Sequence, residues 1–219
     1  KHKADLVYIM SEMISELNIG HAYVGGGEMP KVDKVGIGLL GADYKFDDGF
    51  YKFTTIFEGR NWEEKTRSPL TEPGIDINEG DYLISIDGKE LSENFTPYMA
   101  LNNRANEYVT IKVNSKPSAS GAKEFTVKTI ASEAKLRYYN WVEEMRQRVD
   151  EATNGRVGYV HIPDMGVGNG LNEFAKYFYP QAAKEAMIID DRYNGGGNVS
   201  PMIIERLKRK VRLQGRLRN

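Results

Sequence analysis

Leu6, Ile9, Met10, Met13, Ile14 and Leu17 recur at i, i+3, i+4, i+7, i+8 and i+11, which puts them on one face of an α-helix over residues 5–17. Gly20 is the residue expected to end it by turning left-handed, with His21 at the exit. From about residue 36 the apolar period shortens. "GIGLLGADY", "FYKFTTIF" (50–57), the Leu83-Ile84-Ile86 run, "YVTIKV" (108–113) and "EFTVKTI" (124–130) read as strands. Asp87-Gly88, with ready access to positive φ, suits a tight hairpin turn. Thr96 and Pro97 suit the cap and first turn of a short helix. Residues 58–80 are polar, carry Pro69 and Pro73, and read as a long loop.

Helical spacing returns after Ser132 through Tyr138, Val142, Met145, Val149 and Ala152, and Asn154-Gly155 stops it. "VGYVHI" then reads as a strand. A helix over 171–179 carries Leu171, Phe174, Ala175 and Phe178 on one side and ends at Pro180, and "AMIID" is the next strand. A strand, a helix and a strand in this order predict a parallel pair with a right-handed crossover. A last helix is expected from a Ser200 cap and Pro201, with Ile203, Ile204, Leu207 and Val211 inward.

The pattern predicts an α+β protein: a β-rich unit (36–131) inserted between a helical segment (1–35) and an α/β part (132–219). Two parallel strands leave an open edge, so the α/β part is expected to be incomplete at its C-terminus, and either its edge drives formation of a homo-oligomer or the basic C-terminal stretch is left disordered.

With 30 basic and 31 acidic residues, no global field steers the chain to nucleic acid or an anionic membrane. No apolar run is long enough for membrane insertion, and "KHKADLVYIM" lacks the features of a signal peptide. The segment is compatible with a periplasmic, secreted or cytoplasmic setting. Cys is absent, which excludes disulfides and thiolate chemistry, and three His without HExxH predict no metal and no cofactor.

The chemistry-bearing stretch is "DDRYNGGGNVS" (190–200), between a parallel strand and a helix start, where open α/β sheets bind ligands. Glycines there bring backbone N–H groups close to an anion: a phosphate, a carboxylate or the oxyanion of an attacked carbonyl. A plain tight turn is the competing reading. No Gly-Lys-Ser/Thr follows, and Pro201 removes a G-x-S-x-G elbow. Gly36-Ile37-Gly38-Leu39-Leu40-Gly41 satisfies GxGxxG, but strand rather than helix follows it; β-structure, or backbone capture of a peptide end, fits better. His21 is either a surface group or a general base. His161, inside a strand, is expected to be packed and hydrogen-bonded. The basic stretch from Arg206 to Arg218 reads as a solvated helix face.

"EMISELNIGHAYVGGG", the unit ending in "PGIDINEGDYLISIDGKEL", "GRVGYVHIPDMGVGNGLNEFAKYF" and "AMIIDDRYNGGGNVS" together resemble the tricorn-type serine peptidases of the C-terminal-processing group, which carry a PDZ domain. The resemblance implies acyl transfer on peptides or unfolded protein segments. His21 would be the general base, Gly197 the backbone oxyanion donor with Gly196 second, and Gly36, Ile37, Gly38 and Leu39 would receive the peptide in the PDZ-like unit. The family's Ser-Asp-Gly nucleophile motif and its later relay Glu do not occur here, and Gly20 stands where the tricorn relay has Ser. The segment is accordingly expected to stop before its nucleophile and to be inactive alone; a non-catalytic peptide-binding module is the alternative. His21 and residues 195–197 are expected on one cleft, with helix 5–17 packed on the sheet that carries the loop.

Overall fold

The computed structural model describes residues 2–27, 31–33 and 35–209. Helix α1 (Lys3–Ser15) starts where His2 Nδ1 accepts the Ala4 N–H at 3.2 Å and the Asp5 carboxylate accepts the His2 N–H at 2.9 Å. Its stop differs from expectation. Asn18, not Gly20, takes the left-handed conformation, at φ 50, after i to i−3 hydrogen bonds from Leu17 and Asn18. The amphipathic face is present but buries nothing, with Leu6, Ile9, Met13 and Leu17 all more than half exposed. The expected packing of this helix on the sheet is therefore not found.

The β-rich unit is an antiparallel sheet of β1 (Ala42–Asp47), β2 (Phe50–Ile56), β3 (Tyr82–Ile86), β5 (Tyr108–Asn114) and β6 (Lys123–Lys128), adjacent in that order. The short β4 (Lys89–Glu90) pairs with β3 through the Asp87-Gly88 turn, where φ is 48 and 75. Leu39 and Ile130 exchange two backbone hydrogen bonds of 2.8 and 2.9 Å, so the entry and exit of the unit pair with each other and curl the sheet into a partial barrel. Its core holds Leu40, Phe53, Leu83, Ile86, Val109, Ile111 and Val127, all nearly inaccessible. Each such side chain contributes about 1.5–3 kcal/mol. Helix α2 (Pro97–Ala100) is capped as expected, the Thr96 hydroxyl accepting the Met99 N–H at 3.2 Å. Its Tyr98 meets Tyr44 of β1 edge to face, with ring centres 6.0 Å apart.

The long loop is more ordered than its composition suggests. Asn61 holds it, accepting from the Ser68 N–H at 2.9 Å and donating to the Thr71 carbonyl at 2.9 Å, and this buries Ser68, Pro69 and Leu70. Two short 3-10 turns, Glu64–Thr66 and Pro69–Thr71, result.

Helix α3 (Ala134–Ala152) ends at Asn154 and Gly155, both at positive φ. It packs on β7 (Val157–His161), which pairs in parallel with β8 (Ala186–Asp190) from Val157–Ala186 to His161–Asp190. Helix α4 (Asn172–Phe178) makes the crossover and is preceded by a π-helical turn, Val167–Leu171. In α5 (Ser200–Leu207) the cap position is Val199, so Ser200 is the first helical residue and caps nothing. Only Ile203 of its apolar residues is buried; Ile204 and Leu207 are over two-fifths exposed, and Val211 and most of the basic stretch lie outside the described residues. Val160, Ile162, Phe174, Val199 and Ile203 form this second core.

α3 also holds the two units together. Buried Glu133 accepts the Gly41 N–H at 2.9 Å and pairs with Arg137, whose guanidinium forks onto Asp43 at 2.6 and 3.2 Å and lies over Phe57. Arg60 stacks on Tyr139 of the same helix at 3.6 Å and donates to the Tyr177 hydroxyl. Among the described residues no helix is long and apolar enough to cross a membrane.

Candidate functional site

The glycine loop leaves the C-terminal end of β8 and is fixed on both sides by the segment that follows β7. His161 is 2% exposed and forms the upstream anchor. Its Nε2 lies 2.8 Å from the Arg192 carbonyl, which can only accept, so Nε2 carries the proton and Nδ1 accepts the Tyr138 hydroxyl at 3.0 Å. The packed, hydrogen-bonded reading of His161 thus holds. Burial pushes the Tyr138 hydroxyl well above its usual range, so it remains a proton donor. Asp190 adds a second hold: it accepts the Arg192 N–H at 3.0 Å, the Arg192 guanidinium at 2.6 Å and the Tyr159 hydroxyl at 2.7 Å. The Arg192 guanidinium, helped by the Tyr159 hydroxyl, keeps this carboxyl well below the usual carboxylate range. These restraints support Tyr193 at φ 62, an unfavourable conformation for an aromatic residue.

Downstream, Asn194 donates to the Ile162 carbonyl at 2.8 Å, and the Gly195 N–H donates to the Pro163 carbonyl at 2.9 Å. The Asn194 side chain accepts the Gly196 N–H at 2.8 Å. Met165 then grips the loop with both backbone groups. Its N–H donates to the Gly196 carbonyl at 2.7 Å, and its carbonyl accepts from Asn198 at 2.7 Å and Val199 at 2.9 Å. In such a parallel bridge the residue between the two bonds turns its own N–H away from the partner. That residue is Gly197. Its N–H has no hydrogen-bond partner among the described residues, and Gly197 is exposed. Its φ of 140 and the Met165 carbonyl oxygen 2.3 Å from where a Cβ would sit both require glycine.

His21 is exposed and lies edge to face with Tyr23, ring centres 6.5 Å apart. No hydrogen bond or ring contact joins it to Gly196 or Gly197. In the β-rich unit, the Gly38 N–H is taken by the Leu101 carbonyl at 2.9 Å and Leu39 is paired with Ile130. Gly36 and Ile37 are exposed, and among the described residues β1 pairs only with β2. Among the described residues no cluster of His, Asp or Glu is arranged to hold a metal ion. Tyr138, Asp190 and Arg192 support the loop although the sequence reading does not single them out. The one sequence signal is the polar end of the apolar run in β8, at Asp190 and Arg192; Tyr138, inside α3, has none.

Replacing His161 by Phe is expected to cost about 2 kcal/mol, because it leaves the half-buried Tyr138 hydroxyl without its acceptor and releases the Arg192 carbonyl. Urea denaturation checks this, and a variant as stable as the parent removes His161 from the hub.

Comparison with known proteins follows this division. Residues 38–132 match the family model "Tricorn protease PDZ domain", and residues 156–210, from β7 to just past α5, match "Peptidase family S41". A PDZ-like unit joined to a peptidase-type α/β unit is the class defined. The chain is 35% identical over 206 residues to the tricorn protease of Thermoplasma volcanium, covering 94% of this chain and 20% of that protein. It is 32% identical over 211 residues to tricorn protease homolog 1 of Streptomyces coelicolor, covering 94% of this chain and 19% of that one. A crystal structure of the tricorn protease superposes with a TM-score of 0.86 at 33% identity over 96% of this chain and 20% of that chain. The chain is related to the tricorn-type serine peptidases and spans about a fifth of the length of the relatives it matches.

Proposed function

We propose that these residues form part of a serine peptidase that cleaves peptides or unfolded protein segments by acyl transfer. The observation that carries the reading is the outward-facing Gly197 N–H, without a partner among the described residues and set between two peptide units that Met165 holds on either side. Such a fixed donor stabilises a tetrahedral oxyanion by about 3 kcal/mol and needs no reorganisation. The Gly196 N–H, already held by Asn194, is the second choice. His21 takes the proton of the attacking hydroxyl. The nucleophile lies outside these 219 residues, which contain no Ser-Asp-Gly, and the segment alone hydrolyses nothing. His21 must share a cleft with Gly197 when the nucleophile is present. Among the described residues, no side chain of α1 is buried.

In the β-rich unit (36–131), a peptide end binds the exposed Gly36 and Ile37 amides and extends along the unpaired edge of β1, while Gly38 and Leu39 shape the loop through their internal bonds. This open edge also favours the second reading, a peptide-binding module without catalysis. Neither reading involves a cofactor, nucleic acid or membrane insertion, and the open β8 edge makes a homo-oligomer the expected assembly.

The test uses a chain that includes the serine-bearing segment, assayed on fluorogenic peptides. His21→Ala is expected to lower kcat about 10²–10⁴-fold, and an unchanged kcat removes His21 as base. Peptides that shift the amide resonances of residues 36–44 without being hydrolysed by the longer chain would establish the module instead.

A further inference from the structure

Asp164 is a charged residue that the proposed mechanism does not use, yet its carboxylate is fully engaged. Oδ1 accepts the Gly166 N–H at 2.7 Å and the Gly170 N–H at 2.9 Å, and Oδ2 accepts the Asn169 side-chain amide at 2.6 Å. The loop of residues 164–170 is closed around one anion. Its closure is tight: a Cβ on Gly170 would sit 1.6 Å from the Asp164 carbonyl oxygen. The Asn169 amide, with the two backbone N–H groups, holds the carboxyl below its ordinary range.

The residue inside this cradle next to Asp164 is Met165, and Met165 N–H and C=O are the groups that grip Gly196, Asn198 and Val199. We propose that Asp164 is the positioning residue of the oxyanion loop, fixing the direction of the Gly197 N–H through the Met165 backbone. This rests on the peptidase reading for its purpose, but not for its geometry. The Asn194 and His161 anchors fix where the loop leaves the strand; neither acts on the peptide units flanking Gly197. Among the described residues only the Met165 bonds do so; the Leu171 N–H to Gly166 carbonyl bond at 3.0 Å closes the turn from Gly166 onward, and the Asp164 carboxylate is what ties the residue before Met165 to it.

Hydrogen exchange on the 219-residue chain tests the placement without needing activity. In Asp164→Ala, the Asn198 and Val199 amides are expected to exchange at least about tenfold faster, with Val160 and Phe174 unchanged. Asp164→Asn, whose Oδ1 still accepts both glycine N–H groups once the Asn169 amide turns over, should recover most of the protection. Unchanged exchange at Asn198 and Val199 in a folded Asp164→Ala overturns the proposal. If that variant fails to fold, Asn169→Ala, which removes one of the three bonds, decides by the same readout. In the longer chain, Asp164→Ala should lower kcat with KM nearly unchanged, since the misaimed donor acts only on the transition state. Should the peptidase reading itself fail, parent and variant are both inactive while the exchange difference persists.

Discussion

Gly170→Ala is expected to be the most disruptive single-methyl substitution in the α/β unit, costing about 4–5 kcal/mol. The added carbon would overlap the Asp164 carbonyl carbon and oxygen, backbone atoms of a residue whose carboxylate is bonded to the Gly166 and Gly170 N–H groups. No side-chain rotation relieves that overlap, so either the turn opens or the Asp164 cradle is lost. Gly196→Ala is the control: a Cβ there meets only open space, and the penalty comes from φ 80 alone, about 1–2 kcal/mol. Urea denaturation followed by the fluorescence of Trp141, which packs against His161, measures both. A Gly170→Ala penalty no larger than that of Gly196→Ala would mean that the turn yields cheaply and does not define the loop.

The second large effect is expected at Glu133. Glu133→Ala leaves the Gly41 N–H without its acceptor and removes one carboxylate from Arg137, at a point where α3 meets the β-rich unit. Breaking a fully buried ion pair costs about 3–5 kcal/mol. Here Arg137 is 41% exposed and keeps Asp43, so about 2–3 kcal/mol is expected. The Asp43 carboxylate, followed by Glu133, raises the Arg137 pKa, so the cation persists and stays bound to Asp43 in the variant. The telling measurement is hydrogen exchange at Leu39 and Phe57 together with Arg137, whose N–H groups are all bonded. All three should lose protection, and a change confined to α3 would show that Glu133 does not join the units.

Local chemistry made much of this architecture legible. Asp87-Gly88, Thr96-Pro97 and Asn154-Gly155 act within a few residues of themselves, and each turn or cap forms where those residues place it. The parallel β7–β8 pair follows from chain handedness. What could not be read depends on distant partners. The 3.6 period of α1 is real, yet it specifies an apolar face and not what meets it. Gly20 was the better left-handed residue by propensity, but the helix ended earlier and Asn18 filled the position. Ser200 misled because Val199 already occupies the cap and packs into the core. The glycine loop stood out in the sequence; its anchors His161 and Asn194 act across 31 and 32 positions through backbone carbonyls that leave no compositional trace, and the Asp164 bonds, over 2 to 6 positions, also fall on backbone N–H groups.

The pairing of Leu39 with Ile130 has a consequence beyond the sheet itself. The path through the β-rich unit begins and ends at hydrogen-bonded neighbours, so the rest of the molecule meets those intervening residues as it would meet a loop of a few residues. Closing so small a gap entropically favours the assembled state, because the ends are already held together before any host contact forms. Apart from Gly41, Asp43 and Arg60, which meet α3 and Tyr177, length and sequence within the unit are thereby separated from the geometry of the flanking elements. That is the topology of an exchangeable cassette, in which one recognition surface can replace another while α3 and the glycine loop keep their positions.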